Sequence, residues 1–195
     1  MTLADLKNII QDKYLHHGDY TLSSGAKSDK YFDIKSLLGD TNDTEVLLDC
    51  ITEIDEWGYL TPDKSWASGH PFHGCKYASL GGLELGGAIL AAQMCIGLKN
   101  HDGIPTCYIR KQSLPRNHGL KKMIEGCPRS DILLVDDVIS SGKTVNDAIQ
   151  LCYDNNYHVA GVLCVINRWL GDMENGCFNF YSQRDKIGVV IQIYQ

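Results

Sequence analysis

The sequence predicts an α/β fold whose centre is an open, mostly parallel sheet flanked by helices. Short apolar runs typical of buried strands alternate along the chain with segments in which apolar residues recur at helical spacing. No internal repeat, low-complexity tract or charge run breaks this alternation. Strands that alternate with helices are typical of parallel sheets, and 195 residues are enough for a single domain covering 1–195.

The first forty residues predict a helix followed by a hairpin. Residues 2–16 carry apolar side chains at helical spacing. The following stretch, DYTLSSGAKSDKYFDIK, indicates two short strands around a polar turn.

The rest of the chain predicts the elements of the sheet. Apolar runs and helical spacing predict strands at 76–82, 105–110, 131–136, 158–168 and 186–194, and helices at 43–57, 86–99 and 143–155. Residues 61–77 contain prolines and glycines and predict an irregular connection, whereas polar residues 111–129 predict a long mobile loop. Ligands of such sheets bind beyond the carboxyl ends of the strands, so we expect four strand-end residues to meet in one crevice: Gly82, Arg110, Asp136 and Arg168.

Composition limits the classes of function. Hydrophobic residues make up 44% of the chain and charged residues 22%, which is an ordinary balance for a soluble globular protein. The formal net charge of −6 argues against a general nucleic-acid binder, whose footprint would be basic. An anionic substrate would therefore have to be held by local positive groups rather than by the overall charge.

The eight cysteines contain no Cys-x-x-Cys motif. Because the N-terminus MTLADLKNII lacks a basic stretch followed by an apolar one, we expect no secretion signal and interpret the cysteines as reduced thiols of a cytoplasmic protein. His70, His73 and Cys75 lack a fourth ligand at suitable spacing, so no zinc site is predicted. The apolar stretch 78–98 approaches membrane-span length, but Glu84 and four glycines in its first half favour a strand, a turn and a helix.

The stretch ILLVDDVISSGKT, residues 132–144, predicts a binding site for a phosphorylated sugar. Its Gly-Lys-Thr ending suggests a nucleotide P-loop, but Asp137 stands where that motif requires glycine. Two acids at a strand end suit hydroxyl groups or a magnesium-bearing ligand, and a turn of small residues that opens a helix suits phosphate. A ribose 5-phosphate matches both halves. The alternatives are surface acids and an ordinary helix N-cap.

Five segments together resemble the type I phosphoribosyltransferases and, within them, the orotate phosphoribosyltransferases. VDDVISSGKT resembles the signature for phosphoribosyl pyrophosphate (PRPP), and YTLSSGAKSDKYFDIK resembles the N-terminal hood, to which residues 1–40 would contribute. GLELGGAILAA resembles the pyrophosphate loop, particularly its archaeal-type version. YIRKQSLPRNHGLKKMIEG resembles the mobile catalytic loop, and INRWLG resembles the arginine segment that follows the signature helix.

The resemblance implies a Mg²⁺-dependent reaction in which orotate and PRPP give orotidine 5′-monophosphate and pyrophosphate, within de novo pyrimidine (UMP) biosynthesis. It also implies a homodimer in which loop 111–126 is shared across subunits, with Mg²⁺ carried by PRPP and no metal bound by the protein alone. Such a reaction needs positioning and charge stabilisation rather than covalent catalysis. Two alternatives remain open: a phosphoribosyltransferase for another nucleobase, such as a purine, and a non-catalytic PRPP-binding regulator.

The resemblance also assigns roles to individual residues. Those expected to bind PRPP are Leu85, Gly86, Gly87, Arg110, Lys111, Asp136, Asp137, Ser140, Ser141, Gly142, Lys143 and Thr144. Those expected to bind orotate are Lys27, Tyr31, Phe32, Ser140 and Arg168. Those expected to take part in catalysis are Lys111, Arg116, His118, Asp136 and Asp137. For the aromatic residues the alternative is core packing, and for the basic residues it is solvation at the surface.

The chain departs from the family pattern at three positions. Gly86 stands where many relatives carry lysine, Ser23 stands where some relatives carry lysine, and Arg116 takes the place of the catalytic loop lysine. The pKa of arginine is too high for useful proton transfer near neutrality. Either Lys111 takes the role of that lysine, or the role is purely electrostatic.

Overall fold

The structure, a computed structural model, describes residues 3–22, 25–56, 60–62, 75–98, 104–110, 123–168, 173–174, 177–181, 186–188 and 191–194. The helices are α1 (Leu3–Ile9), α2 (Ile34–Gly39), α3 (Thr41–Glu56), α4 (Glu84–Gly97) and α5 (Lys143–Asp154), with a π-helical turn at Ile10–Tyr14. The strands are β1 (Leu15–Thr21), β2 (Lys27–Phe32), β3 (Leu60–Pro62), β4 (Cys75–Tyr77), β5 (Ser79–Leu83), β6 (Thr106–Ile109), β7 (Ile124–Gly126), β8 (Ile132–Ile139), β9 (Val159–Asn167), β10 (Met173–Glu174), β11 (Cys177–Tyr181), β12 (Lys186–Gly188) and β13 (Ile191–Tyr194).

A six-stranded sheet with the order β13-β9-β8-β5-β6-β7 forms the centre of the fold. The pairs from β13 to β6 are parallel, and β7 joins the edge antiparallel to β6. Strands β8 and β9 are buried almost throughout, as expected for parallel strands that are covered on both faces. The predicted fold class, an open and mostly parallel α/β sheet, is confirmed.

The alternation of side chains along β8 connects two separate core clusters. Leu133 and Val135 pack in the cluster that includes buried residues of α1 to α4, whereas Ile132 and Leu134 pack in the cluster that includes buried residues of α5. Because successive side chains of a strand point to opposite faces of the sheet, the next residue on the α4 side is Asp137. The alternation that packs Leu133 and Val135 in this core thus places the Asp137 carboxylate beside the start of α4.

The N-terminal residues form the predicted hairpin. Strand β1 pairs antiparallel with β2, from Leu15 opposite Phe32 to Thr21 opposite Lys27, with an irregularity between His17 and Tyr20. The predicted helix over 2–16 is too long, because Leu15 and His16 pair with β2 instead of continuing the helix. Helix α2 was not predicted, since six residues are too few to show a helical period clearly.

Other boundaries also differ from the prediction. The predicted strand 131–136 continues to Ile139, because Val138 and Ile139 remain paired with β9. Asp136 therefore lies inside a strand and not at its end. The predicted strand 76–82 divides between β4, which pairs with β3, and β5, which joins the central sheet.

The predicted last strand also divides into two. Residues 186–188 form β12, which pairs antiparallel with β11, whereas 191–194 form β13, which pairs parallel with β9. Among the helices that the structure describes, none combines the length and apolar character that crossing a bilayer requires.

Candidate active site

A cleft of about 840 Å³ opens where the carboxyl half of β8 meets the starts of α4 and α5. Its lining contains nine of the residues predicted from the sequence: Leu85, Gly86, Asp136, Asp137, Ser140, Ser141, Gly142, Lys143 and Thr144. It also contains Lys35, which the sequence interpretation did not assign to the site. The structure therefore brings together the acid pair, the small-residue turn and part of the predicted pyrophosphate loop.

The turn after β8 opens α5 without a side-chain cap at the N-cap position. Gly142 occupies that position with φ 71°, a left-handed conformation that glycine adopts without strain. Ser141 Oγ lies 3.4 Å from the N–H of Lys143, a long contact. The Lys143 ammonium pairs with Asp147 one turn further along, and its side chain is 77% exposed. The first-turn N–H groups and serine hydroxyls thus provide a neutral cradle suited to an anion.

Asp136 and Asp137 are both buried, at 7% and 9% exposure. Oδ1 of Asp136 accepts a hydrogen bond from the N–H of Asp137 at 3.0 Å, and Oδ1 of Asp137 accepts one from the N–H of Val138 at 3.0 Å. The second oxygen of Asp137, Oδ2, accepts from Lys35 Nζ at 3.1 Å. Burial lowers the pKa of Lys35, but the charge and hydrogen bond of Asp137 outweigh it, so the net pKa is raised and Lys35 stays cationic.

Cys164 lies opposite Asp136 on β9. Burial, and to a smaller degree the charges of Asp136 and Asp137, raise its pKa well above the ordinary value, so Cys164 remains a neutral thiol beside the acid pair. A buried neutral thiol packs as a small apolar group. Cys50, Cys107 and Cys152 are buried as well, whereas Cys127 is exposed.

Glycines let the first turn of α4 close on β8. A Cβ built at Gly87 would lie 2.1 Å from the carbonyl oxygen of Val135, and one at Gly86 would lie 2.2 Å from Oδ2 of Asp137. Gly86 therefore cannot be replaced by a larger residue while Asp137 keeps this position. Glu84, at the start of the same turn, has φ 50°, which is uncommon for a residue with a side chain.

Arg110 lies beside the cleft rather than among the residues that line it. Its Nε donates to Oε1 of Glu125 at 2.8 Å, and its guanidinium lies 4.6 Å from the centre of the Tyr108 ring. It borders a smaller cavity together with Glu84 and Thr144, which also line the main cleft. In this arrangement the charge of Arg110 is partly neutralised by Glu125.

The loop residues predicted for catalysis, Lys111, Arg116 and His118, lie outside the described residues. The predicted loop boundary is wrong at its C-terminal end, because Ile124–Gly126 form β7 and pair with β6 of the same chain. The pairing was missed because three residues between polar segments carry too little periodicity to indicate a strand.

The predicted orotate-binding residues lie along the hairpin and the end of β9. The backbone N–H of Arg168 donates to the carbonyl oxygen of Ile139, which lines the cleft. The guanidinium of Arg168 donates from Nη2 to Oγ of Ser28 at 2.8 Å and from Nη1 to the carbonyl oxygen of Lys30 at 3.2 Å. The structure therefore joins Arg168 to β2 of the hairpin.

The aromatic residues of the hairpin have different environments. Phe32 is buried in the core and lies 5.8 Å from the Arg168 guanidinium, so core packing accounts for its position. The Tyr31 ring lies 5.4 Å from the Tyr20 ring. Lys27 Nζ donates to Oγ1 of Thr21 at 2.7 Å at the far end of the hairpin.

The sheet order, with a small antiparallel hairpin preceding it, defines the fold of a type I phosphoribosyltransferase. A crystal structure of orotate phosphoribosyltransferase from Aeropyrum pernix matches with a TM-score of 0.66 at 25% identity, over 97% of this chain and 92% of that one. A phosphoribosyltransferase from Corynebacterium diphtheriae shares the fold with a TM-score of 0.63 at 18% identity, over 98% of this chain and 94% of that one.

Sequence comparison identifies the family. The chain is 30% identical to the orotate phosphoribosyltransferase of Pyrococcus abyssi over 172 residues, which are 87% of this chain and 83% of that protein. It is 28% identical to the Aeropyrum pernix protein of the same name over 155 residues, 79% of this chain and 72% of that protein. No family model matches the chain. The chain belongs to the orotate phosphoribosyltransferase family.

Proposed function

We propose that this protein transfers ribose 5-phosphate from PRPP to orotate, giving orotidine 5′-monophosphate and pyrophosphate in de novo pyrimidine biosynthesis. The observation that carries the proposal is the buried acid pair, which lies in one cleft between the phosphate-type turn and the start of α4. Membership of the family supports orotate as the acceptor.

Each part of the cleft suits one part of PRPP. The 5′-phosphate accepts hydrogen bonds from the turn Ser140–Ser141–Gly142 and the first turn of α5. The ribose hydroxyls donate to Asp136 and Asp137. The pyrophosphate lies against the first turn of α4, where Gly86 and Gly87 allow close approach to the backbone.

The acid pair also contributes to the chemical step. As the bond to pyrophosphate lengthens, positive charge develops on the ribose ring, and two carboxylates held beside it stabilise that charge. Their effect is larger than in water because both carboxylates are buried and held in fixed positions. Pyrophosphate leaves with its electron pair, the orotate nitrogen bonds to the anomeric carbon, and the proton that this nitrogen loses passes to the departing pyrophosphate or to water. Arg168 pairs with the orotate carboxylate through its planar fork of donors.

Mg²⁺ enters, in this proposal, as part of the substrate Mg–PRPP. Among the described residues there is no group of three or more His, Cys, Asp or Glu side chains placed to hold a metal ion. Mg²⁺ commonly retains water and binds through one or two carboxylates together with substrate phosphates. The pair Asp136 and Asp137 fits such an ion without forming a complete site for it.

The proposal extends to a cytoplasmic homodimer in which the loop that begins at residue 111 serves the neighbouring subunit. Support comes from the resemblance of that segment to the shared loop of the family. Sedimentation of the purified protein with and without Mg–PRPP tests the dimer, and a monomer under both conditions would contradict it.

The reaction is tested by mixing purified protein with Mg²⁺, PRPP and orotate, and following the loss of orotate absorbance together with pyrophosphate release. Uracil, adenine, guanine and hypoxanthine are tested in parallel. We expect turnover with orotate and with none of the other four bases. Turnover with another base would retain the PRPP half of the proposal and refute the orotate half, whereas PRPP binding without any turnover would indicate a binding protein.

A further inference from the structure

We propose that Lys35 is a positioning residue for PRPP, because its ammonium orients the Asp137 carboxylate that receives a ribose hydroxyl. This inference rests on the proposed function, since it concerns the same cleft. It adds a residue from α2, an element separate from the signature strand, the pyrophosphate turn and the loop.

Local sequence directs Lys35 toward the cleft. Asp33 caps α2: its Oδ1 accepts from the N–H of Ser36 at 3.3 Å, and its Oδ2 accepts from Oγ of Ser36 at 2.7 Å. The apolar face of α2, Ile34, Leu37 and Leu38, is buried in the core. Lys35 lies off that face, and its side chain reaches the cleft while remaining 44% exposed.

The position of Lys35 is unfavourable by local rules. A cation in the first turn of a helix opposes the helix dipole, so α2 alone gives no reason for lysine there. The compensating interaction comes from Asp137, which is 102 positions away in the sequence. A residue that is unfavourable in its own helix but makes a contact within a cleft is typical of a functional position.

Lys35 completes the set of contacts that holds the Asp137 carboxylate. Oδ1 is held by the backbone N–H of Val138 and Oδ2 by Lys35, and on the Oδ2 side a Cβ built at Gly86 would lie only 2.2 Å away. Without the ammonium, the backbone bond to Oδ1 leaves the carboxylate free to turn about that contact. Lys35 therefore fixes the direction in which Oδ2 can accept a hydrogen bond.

Charge gives a second reason. Two adjacent buried carboxylates repel each other unless a cation is near. Among the described residues that line the cleft, the two cationic side chains are Lys35 and Lys143, and Lys143 is paired with Asp147. Lys35, through its ion pair with Asp137, is thus a cation that offsets the repulsion within the acid pair before the substrate arrives.

The test compares Lys35→Met, Lys35→Arg and the unchanged protein by calorimetric titration with Mg–PRPP in the absence of orotate, and by steady-state kinetics. For Lys35→Met we expect PRPP binding about tenfold weaker, the scale of one charge-assisted hydrogen bond, with the KM for orotate changed less than about twofold. Lys35→Arg should recover most of the PRPP binding. Unchanged PRPP binding in Lys35→Met would overturn the proposal.

A double-mutant cycle distinguishes positioning from direct contact. If Lys35 acts through Asp137, then Lys35→Met should add less than about a twofold loss once Asp137→Asn is present. Additive losses would mean that Lys35 contacts the substrate itself, which contradicts the proposal. If Asp137→Asn binds PRPP too weakly to titrate, a crystal structure of Lys35→Met decides, because an Asp137 carboxylate that keeps its orientation refutes the inference.

Lys13→Met is the matched control, because Lys13 also pairs with an aspartate, Asp43, but away from the cleft. It should leave PRPP binding unchanged. Binding is measured without orotate, so its outcome is separate from that of the proposed reaction. A protein that binds PRPP but does not consume orotate refutes the reaction and leaves the Lys35 test valid.

Discussion

Two lysine–aspartate pairs tie the N-terminal part of the chain to the rest, and they differ in what surrounds them. Lys13 Nζ contacts both oxygens of Asp43 at 3.0 and 2.8 Å, and the Tyr14 hydroxyl donates to the same carboxylate at 2.6 Å. Asp137 receives one ammonium contact, from Lys35 at 3.1 Å, and lines an open cleft. The Asp43 carboxylate is surrounded by protein donors, whereas the Asp137 carboxylate can still accept a hydrogen bond from a ligand.

The same kind of ion pair therefore serves stability or binding according to its remaining contacts. The acceptors of Asp43 are occupied by groups that bring the π-helical turn and α3 together. The contacts of Asp137 set the direction of an acceptor that faces a cavity. Variants of the Lys35–Asp137 pair should therefore lose activity, whereas variants of the Lys13–Asp43 pair should lose stability.

The largest effect is expected from removing charge at the acid pair. Asp137→Asn should lower kcat/KM at least about a hundredfold, the scale seen when an electrostatic contact to a transition state is lost. The free energy of unfolding should change little, because the amide is nearly the same size. Steady-state kinetics with thermal unfolding checks this, and Asp43→Asn is the matched control. Equal loss of activity in both variants would break the comparison.

Arg168→Ala should come next, with an effect confined to orotate. We expect the KM for orotate to rise at least about thirtyfold, because a charged fork that pairs with a carboxylate contributes about 2 kcal/mol or more. The affinity for PRPP should be unchanged. Lys27→Ala, at the exposed end of the hairpin, provides the comparison within the predicted orotate residues. A rise in KM for PRPP instead would refute the assignment of Arg168 to the base.

Gly86→Ala tests the position of the Asp137 carboxylate from the α4 side. The added Cβ would lie 2.2 Å from Oδ2, so either the carboxylate or the start of α4 must move. We expect PRPP binding to weaken about tenfold, measured by titration calorimetry. Gly39→Ala is the control, since a Cβ there meets no atom within 4 Å. Equal binding in both variants would show that the cleft tolerates the shift.

Tyr14→Phe should affect stability alone. Loss of the 2.6 Å hydrogen bond to Asp43 should lower the free energy of unfolding by about 1.5 kcal/mol, as for a buried bond to a charged group. Chemical denaturation measures this change, and turnover should stay at the level of the unchanged protein. A loss of turnover at saturating substrate would instead mean that the contacts of Tyr14 with Asp43 influence the cleft.

The smallest effect is a pH dependence of stability at Asp43. Burial raises the pKa of this carboxyl, but the hydrogen bonds from Lys13 and Tyr14 outweigh burial, so the net pKa lies below the ordinary 3.8. A lowered native pKa contributes stability above pH 3.8 that is lost as the pH falls through the native value. Asp43→Asn should therefore show a shallower loss of stability below pH 4 in denaturation curves, and an identical slope would contradict this.

The periodic features of this protein could be predicted from its sequence. Apolar runs such as ILLV and the helical spacing of α3, α4 and α5 identified the parallel sheet, because side-chain period reflects local geometry. The run of two acids, small residues and Gly-Lys-Thr identified seven residues that line one cleft, because one strand and the helix after it hold them together. The short elements α2 and β7 were missed, since three to six residues carry little periodic signal.

Contacts between residues far apart in the sequence could be identified only in the folded chain. Lys35 reaches Asp137 across 102 positions, and Gly86 bounds the same carboxylate across the gap between α4 and β8. Tertiary pairing also divides the last predicted strand: residues 191–194 join the central sheet, whereas 186–188 pair with β11. Such contacts depend on how layers pack, and packing combines side chains from segments whose local sequences contain no information about each other.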